Sequence, residues 1–227
     1  MSLILSLETA SVSCSTALHN NGELLGEIRS DEPQSASSRL AVLINDLLSE
    51  CKVKPETLDG VAVSSGPGSY TGLRIGVATA KGLCFGLNIP LVAINTLELM
   101  AFQISQSVND KSTLLCPMLD ARRMEVYCLL ADSQMKILET TDAKIIDENS
   151  FRSWLSESAI LFFGNGAGKC REVIGHENAK FMEGVEPLAS ALGKMAHQKF
   201  LKKEFEEISS FEPHYLKEFM IKKLKPA

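Results

Sequence analysis

The sequence predicts an α/β fold built from two similar halves, each of which opens with strands and ends with helices. Three observations lead to this prediction. A short apolar strand at residues 60–64 runs through a glycine turn into a helix that continues to Cys84. Three strand patterns precede this unit, and a second set of strand and helix patterns starts at Lys111. Strands that alternate with helices in this way are typical of mixed sheets covered by helices.

The first half is predicted to run in the order strand, strand, strand, helix, strand, helix, strand, with a further helix after it. Asn20-Asn21-Gly22 predicts a tight hairpin turn, and Lys54-Pro55 ends the first helix. Asn95, with Glu98 three residues later, resembles a capping box that opens the next helix. The predicted strands span residues 3–7, 14–18, 24–28, 60–64 and 89–94, and leucine spacing places the first helix at 40–48.

The second half follows a polar stretch at residues 105–112. We therefore predict subdomains at 1–104 and 105–190, with a closing helix and tail at 191–227 that pack back on the first subdomain. The tail from Lys194 holds eight lysines and five glutamates, which is typical of a solvated face. The predicted strands span 114–119, 125–130, 137–146 and 160–163, and the predicted helices are 151–155 and a closing one marked by Leu188, Leu192, Met195 and Phe200.

Composition excludes several classes of protein. The chain has 227 residues, of which 45% are hydrophobic and 22% charged, as in ordinary globular proteins. Its net charge of −5 argues against a domain that binds a nucleic-acid backbone unaided, so any RNA contact is expected to be indirect or shared. Six scattered cysteines without a C-x-x-C pattern indicate a reducing compartment. Because no basic leader or apolar run of about 20 residues is present, we expect a cytoplasmic protein without a membrane partner.

The glycine turn, Gly66-Pro67-Gly68-Ser69, leads into a helix N-terminus, which is a natural anion site. Its spacing is one residue too long for a dinucleotide fingerprint, and no Gly-Lys-Ser/Thr follows. Structural glycines are the alternative interpretation. The tract Gly164–Lys169 also resembles a phosphate loop, but Cys170 stands where a magnesium-binding hydroxyl belongs.

Small residues recur every four positions along the helix after this turn, at Gly72, Gly76 and Ala80. Each interior glycine costs about 1 kcal/mol of helix stability relative to alanine, so another element must approach closely. That element is either the chain's own sheet or a helix of another subunit. We predict the second, with an interface formed by Gly72, Ile75, Gly76, Thr79 and Ala80, flanked by Leu40, Leu43 and Leu47.

The same residues carry a resemblance to a known family. Ser65-Gly66-Pro67-Gly68-Ser69-Tyr70-Thr71-Gly72-Leu73-Arg74-Ile75-Gly76, continued by Ala80-Lys81-Gly82-Leu83, resembles the signature of the bacterial TsaB (YeaZ) family. That family is the non-catalytic relative of TsaD and carries a legacy annotation as M22 glycoproteases. The resemblance covers essentially the whole chain and is strongest at 5–11, 60–86, 118–125 and 213–217.

The resemblance implies an actin-like ATPase (ASKHA, ribonuclease H-like) fold with two similar subdomains. Nucleotide-binding members hold phosphate in two hairpin turns, each with an acid followed by glycines. The matching acids here are Glu8 and Asp120, and neither is followed by glycine. With Gly68, they are the weak nucleotide candidates of the sequence. Arg122 and Arg123 stand in the second turn as alternative anion ligands or as surface residues.

The resemblance also bears on a metal site. TsaD holds a metal with two histidines four residues apart on one helix, and the matching positions here are Thr96 and Met100. The four histidines of the chain have no ligand spacing, and no G-x-S-x-G elbow is present. We therefore expect no catalytic residue, metal or cofactor, with ATP confined to an interface shared with a partner.

The function implied is that of an accessory subunit. Such a chain binds TsaD and supports transfer of the threonylcarbamoyl group to N6 of adenosine 37 in tRNA, with the ATPase TsaE as a further partner and a homodimer when it is alone. The alternative is an enzyme, either metallopeptidase-like or a sugar-kinase-like ATPase.

Overall fold

Two five-stranded sheets with the same strand order form the framework of the chain. The structure, a computed structural model, describes residues 2–32 and 35–216, without the side chains of 35–37. The first sheet has the order β3-β2-β1-β4-β5, and the second has the corresponding order β8-β7-β6-β9-β10. The strands are β1 (Leu3–Glu8), β2 (Cys14–Asn20), β3 (Glu23–Ser30), β4 (Gly60–Gly66), β5 (Leu91–Asn95), β6 (Leu114–Asp120), β7 (Glu125–Ala131), β8 (Ile137–Ile145), β9 (Ile160–Phe163) and β10 (Ala179–Met182).

The pairing directions repeat between the sheets as well. In the first sheet β1 pairs antiparallel with β2 and parallel with β4, and in the second β6 pairs antiparallel with β7 and parallel with β9. The two similar halves predicted from the sequence are thus the same fold unit twice. The helices are α1 (Ser35–Glu50), α2 (Tyr70–Leu87), α3 (Thr96–Ser105), α4 (Arg152–Leu155) and α5 (Ala189–Leu201), with 3₁₀ turns at Pro55–Thr57 and Gly168–Cys170.

Local signals in the sequence account for the element boundaries. Asn21 and Gly22 take the positive φ angles, 50° and 82°, of the tight turn between β2 and β3. The side chain of Asn95 accepts hydrogen bonds from the backbone N–H groups of Leu97 and Glu98, which confirms the predicted cap of α3. The strand β10 was not predicted, because Ala-Lys-Phe-Met lacks the continuous apolar run that marked the equally short β9, Ile-Leu-Phe-Phe.

Helices cover both faces of the first sheet. Leu5 and Leu7 of β1 pack with α1 and α2 on one face, and Ile4 packs with α5 and Leu99 on the other. The remainder of α3, including Met100, packs on the second sheet. The predicted division at residues 104 and 105 stays a prediction, because α3 contributes to the cores of both sheets.

The chain returns to the first sheet after α5. The N–H of Glu206 donates to the carbonyl of Leu91, and the N–H of His214 donates to the carbonyl of Ser65. Lys81 of α2 donates to the carbonyl of Phe211 at 2.9 Å. This return segment, residues 202–216, therefore lies along β4, β5 and α2. The predicted tail beyond Leu216, including Lys217, lies outside the described residues.

Among the described helices, none has both the length and the apolar character that crossing a bilayer requires.

Candidate functional site

The turn between β1 and β2 is closed around the carboxylate of Glu8. Oε1 accepts a hydrogen bond from the N–H of Ala10 at 2.6 Å, and Oε2 accepts one from the hydroxyl of Ser64 on β4. The residue is only 1% exposed. The carboxylate of Glu8, the first residue predicted to bind nucleotide, is therefore hydrogen-bonded within the chain.

Burial makes this carboxyl a weak acid. Loss of hydration raises the pKa of Glu8 from 4.5 to about 7, although the hydrogen bonds from Ser64 and Ala10 oppose the rise. The carboxylate of Glu186, which accepts a hydrogen bond from Ser13 at 3.1 Å, raises the pKa further. Near neutral pH Glu8 is consequently divided between its neutral and charged forms.

We expect Glu8→Gln to stabilise the chain in alkaline solution. Because the pKa of Glu8 is higher in the folded chain than the ordinary 4.5, its contribution to stability is complete below pH 4.5 and is lost as the pH rises through 7. A glutamine amide can accept from Ala10 and donate to Ser64 without ionising. Urea unfolding at pH 8.5 should show a gain of about 2 to 3 kcal/mol over the wild type, at 1.36 kcal/mol per pKa unit. Equal stability of the two proteins at pH 5 and pH 8.5 would contradict the assignment.

The glycine turn before α2 packs directly against the turn between β1 and β2. The N–H of Ser69 donates to the carbonyl of Ala10 at 2.7 Å, and a Cβ on Gly68 would collide with the same carbonyl. The hydroxyl of Ser69 also caps α2 by accepting from the N–H of Gly72. This packing contradicts the prediction that Gly68 approaches a nucleotide phosphate and favours the alternative of structural glycines.

Asp120, the acid of the second turn, is bound by an ammonium group from the same chain. Its carboxylate pairs with Lys169 and accepts a hydrogen bond from the N–H of Arg122 at 3.0 Å. Lys169 also donates to the carbonyls of Arg123 and Glu125, both at 2.7 Å. Lys169, the lysine of the tract that resembles a phosphate loop, thus stabilises the hairpin between β6 and β7. Oδ1 of Asp120 therefore takes both the ammonium group of Lys169 and the N–H of Arg122.

The two positions that match the histidines of TsaD lie in the core. Thr96 and Met100 are both completely buried in α3. The residues that the structure describes contain no group of three or more His, Cys, Asp or Glu side chains that could hold a metal ion.

The small-residue stripe of α2 faces inward. A Cβ on Gly72 would collide with the carbonyl oxygen of Thr9, and one on Gly76 with the hydroxyl of the same threonine. Ala80 is fully buried on the first sheet. The prediction that Gly72, Gly76 and Ala80 touch a partner is therefore wrong, because the β1–β2 turn makes the close approach that the glycines require.

The leucines of α1 are buried as well, so the prediction that they flank an interface is also wrong. Leu40, Leu43 and Leu47 lie in the core between α1 and the first sheet, with exposures of 1% to 3%. Of the predicted interface only Ile75 and Thr79 remain partly exposed, at the border of the buried face.

The outer face of these two helices carries a different set of residues. Phe85 of α2 is 83% exposed, and Val42 of α1 is 48% exposed. A Cβ on Gly82 or Gly86 would meet no other atom within 4 Å, and Ala78, one turn before Gly82, is exposed. We call this surface, formed by Val42, Ala78, Gly82, Phe85 and Gly86, the outer face. Sequence reasoning missed it, although Phe85 stands off the apolar stripe of Leu73, Val77 and Cys84.

A cavity of about 750 Å³ lies at the other end of β2 from Glu8. It is bordered by the β2–β3 turn, by Phe102 of α3 and by Lys194, His197 and Lys202 of the α5 region. None of the predicted site residues lines it.

The fold is the predicted actin-like ATPase fold, with both phosphate turns closed by the chain's own groups. A solved activator of 2-hydroxyisocaproyl-CoA dehydratase from Clostridium difficile, with bound ADPNP, shares the fold at a TM-score of 0.51 and 11% identity over 92% of this chain and all of that one. YeaZ from Pseudomonas aeruginosa matches at a TM-score of 0.83 and 26% identity over 95% of this chain and 100% of that chain.

Comparison of sequences gives the same relationship. The family model described as TsaD, tRNA N6-adenosine threonylcarbamoyltransferase, matches residues 32–223. The tRNA threonylcarbamoyladenosine biosynthesis protein TsaB of Bacillus subtilis is 30% identical over 177 residues, which cover 75% of this chain and 74% of that protein. The TsaB protein of Escherichia coli is 34% identical over 124 residues, or 55% of this chain and 52% of that protein. The chain belongs to the TsaB (YeaZ) family.

Proposed function

We propose that this chain is a non-catalytic accessory subunit of the assembly that adds the threonylcarbamoyl group to N6 of adenosine 37 in tRNA. It binds a TsaD homologue and supports the transfer. The observation that carries the proposal is that the chain's own groups contact both predicted phosphate turns: Ala10 packs against Gly68, and Lys169 pairs with Asp120. The relatives named TsaB supply the reaction to which the chain contributes.

The outer face of α1 and α2 is the proposed contact with TsaD. Exposed large apolar side chains on neighbouring helices indicate a surface that another protein covers. Because the TsaD family model matches this chain from residue 32 onward, TsaD contains a related copy of the same unit. A related helix pair can pack on this one about an approximate two-fold axis, as two copies of this chain would. We further propose that the chain forms a homodimer when it is alone, that TsaE is a further partner, and that the protein is cytoplasmic.

The enzymatic alternatives are not favoured. A metallopeptidase requires metal ligands at positions where Thr96 and Met100 are buried, and a sugar-kinase-like ATPase requires the two turns to receive phosphate.

We expect the isolated chain to bind Mg·ATP only weakly and to hydrolyse none. Lys169 forms an ion pair with Asp120, and Ala10 packs against the glycine turn. Isothermal titration calorimetry with a phosphate-release assay measures both properties. Micromolar affinity that disappears in Asp120→Ala would show that the second turn accepts nucleotide after all.

Co-purification tests the proposal. The chain is expressed with an affinity tag in its own cells, and the proteins that elute with it are identified by mass spectrometry. We expect a TsaD homologue in near-stoichiometric amount. Its absence, with the tagged chain folded, would contradict the proposed function.

A further inference from the structure

The hairpin between β6 and β7 presents two arginines on a strained backbone. Arg122 and Arg123 both have left-handed φ angles, 72° and 51°. This region is disfavoured for residues with a Cβ and is ordinarily taken by glycine or asparagine. Two consecutive arginines in it break a local rule of sequence choice, and such exceptions concentrate at functional sites.

Side chains from outside the turn hydrogen-bond to the backbone of this hairpin tip, which comprises Arg122 and Arg123. Lys169 donates to the carbonyls of Arg123 and Glu125, and Asp120 accepts from the N–H of Arg122. The side chain of Asp120 is consequently engaged with Lys169 and the backbone. Three hydrogen bonds therefore anchor the backbone at and beside the tip to the side chains of Asp120 and Lys169.

The two guanidinium groups point to solvent without a counter-ion. Arg122 and Arg123 are exposed, and neither forms an ion pair with any residue in the described part of the chain. Arg29 and Arg171, by contrast, pair with Asp31 and Glu183 on the surface. A chain of net charge −5 thus keeps two adjacent exposed cations, unpaired among the described residues, at an anchored hairpin tip.

We propose that Arg122 and Arg123 bind phosphate groups of RNA, which gives this chain a share in holding the tRNA of its assembly. The guanidinium fork matches two phosphate oxygens at once, and a fixed backbone lowers the entropic cost of placing it. An exposed hairpin tip that lines no described cavity suits an extended phosphodiester backbone better than a free nucleotide, which binds in an enclosing pocket. The identity of the RNA rests on the proposed function, whereas the phosphate chemistry rests on the tip alone.

The test titrates a fluorescent, unmodified tRNA transcript with the chain alone and with its complex with the TsaD homologue, at 20 to 200 mM KCl. Arg122→Ala/Arg123→Ala should weaken binding by roughly 10- to 100-fold at low salt and lower the slope of log K against log salt by about 1 to 2. The control Arg29→Ala/Arg171→Ala removes the same charge from paired arginines and should change the affinity less than about 3-fold.

A second variant separates binding from folding. Arg122→Asn/Arg123→Gly places residues that tolerate the left-handed backbone and should raise Tm while losing RNA affinity as the alanine variant does. Loss of affinity together with a higher Tm cannot result from unfolding.

Three results would overturn the proposal. The tip and control variants could bind RNA equally well, both alone and in the complex. Mg·ATP could bind in a tip-dependent manner while RNA does not. The Asn-Gly variant could retain full RNA affinity. If the TsaD homologue still co-purifies in these cases, only the role of the tip fails; if the partner is absent but the isolated chain binds RNA through the tip, only the proposed function fails.

Discussion

Replacing Gly72 with alanine is expected to lower the free energy of unfolding by about 3 to 4 kcal/mol, a large effect for one methyl group. The added Cβ would collide with the backbone carbonyl oxygen of Thr9, which a side-chain rotation cannot move away. The β1–β2 turn would have to shift, and with it the hydrogen bonds that close it around Glu8. Urea unfolding followed by circular dichroism measures the loss.

Gly82 is the matched control on the same helix. Its Cβ position is open, so Gly82→Ala should stabilise the chain by about 1 kcal/mol through helix propensity alone. Opposite signs for two glycines ten residues apart would establish which face of α2 is inward. If Gly72→Ala is as stable as the wild type, the inward assignment is wrong. By the same reasoning Gly76→Leu should also destabilise the fold, because its Cβ would collide with the hydroxyl of Thr9.

Phe85→Asp is expected to weaken association with the TsaD homologue by at least about 100-fold, or about 3 kcal/mol. Phe85 is the most exposed large apolar side chain on the outer face, and an aspartate there would bury a charge against apolar residues of the partner. The isolated variant should keep its unfolding free energy within about 0.5 kcal/mol, since the wild-type side chain makes few contacts.

Leu201→Asp provides the control for this variant. Leu201 is 63% exposed at the end of α5, so the exchange adds the same charge to another surface. Sedimentation velocity of each variant with the partner, and of each alone, gives the affinities. Equal loss in both variants would indicate a general charge effect, and no loss in Phe85→Asp would place the interface away from the outer face.

The order and type of the elements could be predicted because local signals specify them. Asn21-Gly22 specifies a hairpin, Asn95 caps a helix, and short apolar runs mark most of the strands. The strand Ala179–Met182 was missed because a lysine interrupts its apolar residues, so that only its pairing with β9 defines it. The family resemblance supplied the fold name, and the repeated strand order of the two sheets agrees with it.

Which face of α2 is buried could not be predicted in the same way. Gly72, Gly76 and Ala80 form a stripe with a four-residue period, but so do Ala78, Gly82 and Gly86 two positions along. Only the position of Thr9, more than sixty residues earlier in the chain, decides which stripe is buried. The periodicity of small residues shows that α2 has a face able to pack closely. Contacts with residues distant in the sequence determine which such face is buried and what covers it.

The closure of the second turn has the same origin. Asp120 and Lys169 belong to different predicted elements, and neither spacing nor composition brings them together. The sequence showed that glycines are missing from this turn. It did not show that a lysine from a loop resembling a phosphate site pairs with Asp120, nor that the arginines of the tip form no ion pair with the described residues.

Reconstitution of the reaction tests the accessory role most directly. The TsaD homologue, a TsaE-type ATPase, a threonylcarbamoyl donor and an unmodified tRNA transcript are combined with and without this chain, and modified adenosine is quantified by mass spectrometry of the digested RNA. We predict modification only when the chain is present, full support from Leu201→Asp and little from Phe85→Asp. Equal modification without the chain, or full support from a Phe85→Asp variant that no longer binds the TsaD homologue, would contradict the account.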